Sequence, residues 1–178
     1  YLTKSMNSKQ AYYLLSRYLI LILLGIFFSI FYLIFTPLTI YPSYFILSLF
    51  YPSINLIPNN ILSFGIIQAK LIPACIAGAA YYLLLILNLT TPMKTKARVK
   101  SLLFILLTFL VLNILRIVIF SSLFVNSYRY FDFTHLFFWY FGSTILVVLI
   151  WFANVKIFKI KSIPIYTDFK NIFKEIKK

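Results

Sequence analysis

The sequence predicts an all-α integral membrane protein with about four transmembrane helices and an outer-face loop at residues 37–73. Three observations carry that reading. Hydrophobic residues make up 62% of the 178-residue chain, charged ones only 11%, and the mean hydropathy is +0.95. A domain of this size folding in water has too little interior to hide that much apolar surface, so the bilayer has to act as solvent. Apolar runs long enough for a hydrocarbon core of about 30 Å recur along the chain. Finally, the basic residues cluster at alternate ends of those runs.

Residues 1–10 are polar and carry Lys4 and Lys9. The first residue is not Met, which points to a longer N-terminus. Residues 11–35 are apolar apart from Ser16, Arg17 and Ser29, and about 25 residues cross a bilayer with some tilt. The run lacks the small-residue cleavage pattern of a signal peptide and is expected to be retained. Arg17 can snorkel toward Lys4 and Lys9, and Thr36-Pro37 is expected to end the helix.

Prolines 37, 42, 52, 58 and 73 punctuate the next stretch. Its apolar piece at 41–51 is too short to span, so it reads as an interfacial helix on the outer leaflet. Residues 61–72, following Asn59-Asn60, read as a short strand or hairpin. Two short spans across 40–72 would leave the later topology unchanged. Further spans are expected at 74–90, 101–124 and 135–158, joined by a basic loop (Lys94, Lys96, Arg98, Lys100) and a short linker at 125–133. Residues 1–158 thus form one transmembrane domain, and 159–178 a basic cytoplasmic tail.

Four spans put fourteen Lys and Arg residues on one face, leave Lys70 and Arg129 on the other, and bury Arg116. That asymmetry predicts cytoplasmic termini in a cell-membrane protein. The net charge of +14 is then explained by orientation and anionic lipid, so no nucleic-acid partner is expected. One cysteine excludes an intramolecular disulfide, and no CxxC or histidine cluster points to a metal. No cofactor is expected.

Three singular residues fall near one depth. At 1.5 Å per residue, Cys75 and Arg116 both lie roughly 22 Å above the inner boundary, and His135 opens the last span about a turn higher. A lone buried Cys ordinarily acts as a small hydrophobe, and an interfacial His as a polar anchor. Arg116 is harder to explain that way. A cation at that depth costs at least about 2.5 kcal/mol and tends to line a functional cavity. Asn113, one turn earlier on the same face, can bond the guanidinium or fix its rotamer. Together the three supply thiol chemistry. Cys75 is the nucleophile, helped by a helix N-terminus. His135 moves protons, and Arg116 stabilises an oxyanion. The rival reading is a non-enzymatic scaffold or transporter subunit in which Arg116 binds an anion.

At these residues the chain resembles the exosortase/archaeosortase family of membrane cysteine transpeptidases. The matching pieces are PACIAG at 73–78, LNILRI at 112–117 and FDFTHLFFWYFG at 131–142, in the family's order. The chain departs from the family where CIAG replaces Cys-Thr/Ser-Gly-Ile, and in its short linker before His135. The resemblance implies Cys75 as nucleophile, Arg116 and His135 completing a triad, and Asn113 as the Asn of Asn-x-x-Arg. It also implies exported protein substrates whose C-terminal signal is a short motif, a hydrophobic helix and a basic tail. These would be cleaved at the outer face and passed through a thioester to an acceptor, often thought to be a membrane lipid.

Overall fold

The computed structural model describes residues 8–160. Lys4 and almost all of the expected basic tail lie outside them. Helices α1 (Ser8–Ile26) and α2 (Ser29–Ser48) lead into strands β1 (Ile54–Ile57), β2 (Ile61–Phe64) and β3 (Ile67–Lys70). A single helical turn, α3 (Pro73–Ile76), precedes α4 (Gly78–Leu89) and α5 (Thr95–Val125). Last come α6 (Phe131–Phe137), a π turn (Phe138–Gly142) and α7 (Ser143–Ile157).

Three helical segments are long and apolar enough to cross a membrane: Ser29–Ser48, Thr95–Val125 and Phe131–Ile157. Tyr12–Ile26 and Pro73–Leu89 are shorter apolar helices. The chain is therefore mostly helical, but a small antiparallel sheet makes it other than all-α.

Two expectations about the N-terminal half are overturned. Residues 11–35 are not one uninterrupted helix, because the path tightens at Phe27-Phe28, where Ile30 and Phe31 donate to the carbonyls three residues back. Nor does the helix end at Pro37, or an interfacial helix begin at Tyr41. Pro37 and Pro42 both lie inside α2. Each removes a donor and crowds the preceding turn. The helix persists because Thr39, Ile40, Ser43 and Leu47 are buried on one face, which packs on α5 and β1. Tertiary packing outweighs the local proline cost.

The alternative of two short spans across 40–72 also falls, since 54–70 forms the sheet. The short strand or hairpin expected at 61–72 is there as the β2–β3 hairpin, and β1, ahead of the Asn59-Asn60 turn, adds a strand that was not expected. Asn59 and Asn60 take positive φ (67° and 61°), which Asn tolerates better than most residues, and Ile57 pairs with Ile61 across them. Gly65 (φ 79°) and Ile66 then connect Phe64 to Ile67.

Two apolar cores result. One, in the bundle, joins Phe31, Tyr81, Leu84, Ile105, Phe109, Val147 and Ile150. The other joins Ile40, Leu47, Leu62, Phe64, Ile76 and Ile117 beneath the sheet. Phe35 packs against both and stacks on Tyr81 with ring centroids 3.6 Å apart. The chain passes from one core to the other between Ile76 and Ala77.

At the opposite end of α4 and α5, buried Asn88 donates to Ser101 Oγ at 2.7 Å, and Ser101 donates to Asn154 at 2.9 Å. Arg98 donates to the carbonyls of Asn88, Leu89 and Thr91 at the α4 C-terminus. Those are groups a helix leaves unpaired at its end. This polar node ties α4, α5 and α7 together.

Candidate active site

Ala77 determines the local geometry. Its backbone is left-handed (φ 58°, ψ 44°), a conformation unfavourable for a residue with a Cβ, and it separates α3 from α4. Gly78 follows, where an added Cβ would come within 2.9 Å of the Tyr32 ring. The break frees the carbonyls of Cys75 and Ile76 from helical partners. Asn113 and Arg116 take them up. Asn113 Nδ2 donates to Cys75 O at 3.0 Å and Ile76 O at 3.3 Å. Arg116 Nη2 donates to Cys75 O at 3.0 Å, and its Nη1 to Ser143 Oγ at 2.7 Å.

Two sequence expectations change here. Asn113 does not bond the guanidinium; it holds the Cys75 turn beside Arg116. Cys75 also lacks the expected seat at a long helix's N-terminus, because α4 begins at Gly78, beyond the left-handed break. Since Asn113 is fully buried, Asn113→Ala should leave Ile76 O without its side-chain donor and Cys75 O with Arg116 alone, at about 1–3 kcal/mol. A clear loss of thermal stability in detergent checks this, and an unchanged melting temperature contradicts it.

Cys75, Arg116 and His135 line one cavity of about 230 Å³. Cys75 is a half-buried free thiol, within electrostatic reach of Arg116. His135 is framed by rings. Phe131 stacks on it with centroids 5.3 Å apart, while Phe120 and Trp139 lie 5.5 and 6.2 Å away. The π turn supplies Phe138 and Trp139 to the wall, and Ser143 follows it directly. Such turns recur at functional sites. Lys70 and Arg116 are the cations of the lining, which contains no carboxylate, so the cavity is electropositive.

Sequence reasoning passed over three contributors: the β3 wall, Ser143 and the aromatic frame. Lys70 was visible as the one basic residue between Arg17 and Lys94. Nothing in the sequence distinguishes Ser143 from the chain's other hydroxyls. Among the described residues no group of His, Cys, Asp and Glu could hold a metal ion.

The fold and cavity define a mostly helical protein, apolar enough for a bilayer, with a thiol, a guanidinium and an imidazole around one hollow. Comparison with protein-family profiles, curated proteins and solved structures finds no match.

Proposed function

We propose that the protein is a membrane-embedded cysteine transpeptidase, as the exosortase/archaeosortase resemblance implies. One observation carries the reading: Cys75, Arg116 and His135, each distinctive in the sequence, come from three separate segments to line a single cavity. In the mechanism His135 takes the Cys75 proton, and the thiolate attacks a substrate carbonyl carbon. Arg116 stabilises the resulting oxyanion. Collapse breaks the C–N bond, His135 protonates the departing amine, and a Cys75 thioester remains. A nucleophilic group on a membrane lipid then attacks the thioester, releasing the thiol and completing transfer.

The substrates are exported proteins ending in a motif, a hydrophobic helix and a basic tail. Deleting the gene should leave the C-termini of such proteins uncut, as mass spectrometry of the membrane fraction would detect. Unchanged C-terminal processing across all of them would contradict the proposal.

The topology that serves this chemistry has four spans: the α1–α2 path, Pro73–Leu89, α5, and α6 through α7. Both termini face the cytoplasm and the site faces outward, following the charge asymmetry. In a Cys75→Ala background, a cysteine at exposed Asn55 should react with an impermeant thiol reagent in intact cells. One at exposed Thr95 should react only after permeabilisation. The reverse pattern would contradict the orientation.

A second reading has a specific observation behind it. The two side-chain bonds of Arg116 go to Cys75 O and Ser143 Oγ, as in a structural clamp on a non-enzymatic scaffold. The two roles separate on substitution, because a clamp affects stability and processing together.

A further inference from the structure

The cavity is walled on one side by residues 68–72, five in succession. Successive side chains of a strand point to opposite faces, so a strand that lines a hollow with every residue presents its edge. The sheet order is β1-β2-β3, which leaves the outer edge of β3 without a strand partner among the described residues.

The register shows which backbone groups point outward. Leu71 N donates to Asn60 O at 2.9 Å, continuing the pairing of Ile61 with Lys70 and Leu62 with Ala69. Hydrogen-bonded and non-bonded pairs alternate along an antiparallel ladder. Ile67, Ala69 and Leu71 therefore direct their N–H and C=O groups toward β2, while Gln68 and Lys70 direct theirs away from it. Both outward residues are exposed. The strand runs into the nucleophile's turn, where Cys75 N donates to Ile72 O at 2.8 Å.

We propose that the free edge of β3 receives an extended polypeptide segment as an added strand, which aligns that segment's peptide bonds with Cys75. The inference deepens the transpeptidase reading and rests on it, since the segment would be the stretch of an exported protein that precedes its membrane helix. Backbone chemistry favours a peptide over a lipid. Gln68 and Lys70 each offer a donor and an acceptor, two residues apart, which matches the alternation of another extended backbone. Lipid tails offer neither group.

Disulfide exchange at Cys75 tests docking without requiring catalysis. The probe is a short Val/Thr peptide carrying a thiopyridyl disulfide at either terminus, compared with a methyl thiopyridyl disulfide on the full-length protein in nanodiscs. Strand addition is read through the main chain, so a generic β-forming sequence suffices. One peptide orientation should label Cys75 about tenfold faster than the small reagent, the worth of one or two backbone hydrogen bonds. Methylating alternate peptide nitrogens should remove the gain on wild-type protein. Gln68→Pro and Lys70→Pro, which delete outward N–H groups and leave the β2 pairing in place, should remove it too while keeping the small-reagent rate. Equal rates for peptide, methylated peptide and small reagent on wild-type protein would overturn the proposal. Accelerated, methylation-sensitive labelling in a protein that processes no exported substrate would support strand addition and count against the transpeptidase reading instead.

Discussion

Replacing Cys75 by Ala is expected to abolish substrate cleavage, with a loss of about 10⁴-fold or more, as for other residues that act as a catalytic unit. His135→Ala should fall to the same floor, and the double substitution should be no worse, because effects within such a unit are strongly non-additive. Cys75→Ser should be nearly inactive as well, since an alcohol ionises far less readily than a thiol. The measurement is the rate at which a C-terminal signal is released from a substrate in membranes. Near-normal cleavage by Cys75→Ala would remove the nucleophile from the account. Near-normal cleavage by His135→Ala would leave a cysteine enzyme with another base. The ring frame around His135 also predicts that replacing Phe131, its stacked neighbour, by Ala should slow cleavage less than replacing His135 itself.

Arg116→Lys should lower cleavage by about 10²–10³-fold, the range seen when an oxyanion donor is removed. Lysine keeps the charge but loses the planar fork that reaches Cys75 O and Ser143 Oγ at once. Stability supplies the second axis. If Arg116 stabilises developing charge, cleavage should collapse while the melting temperature of Arg116→Lys falls only modestly. Ser143→Ala, which deletes one anchor and keeps the guanidinium, should slow cleavage less than Arg116→Lys. If Arg116 is only a clamp, cleavage and stability should fall in proportion across both variants.

The site was more legible in the sequence than the scaffold that holds it. Cys75, Arg116 and His135 stood out because each is chemically singular in its segment, and helix rise alone put Cys75 and Arg116 at one depth. Residue spacing could not show what the guanidinium holds. That depends on Ala77, whose left-handed backbone frees two carbonyls, and nothing about an alanine signals such a break. The prolines misled in the opposite direction. Pro37 and Pro42 carry a strong local signal for ending a helix, but the buried face of α2 overrides it. The sheet was half visible, because Asn59-Asn60 announced a turn. The strand or hairpin expected at 61–72 holds β2 and β3, whereas β1 hid in INLI ahead of that turn, where four residues between prolines are too few to distinguish from a loop.

Trapping the acyl-enzyme tests the central claim most directly. Wild-type protein incubated in membranes with a sorting-signal substrate and quenched rapidly should yield a covalent adduct whose mass equals the chain plus the cleaved substrate less one water. Peptide mapping should place it on Cys75, and neutral hydroxylamine should release it as a thioester. Cys75→Ala should form none. A hydroxylamine-resistant adduct, an adduct on another residue, or substrate turnover by Cys75→Ala at the wild-type rate would contradict a cysteine transpeptidase.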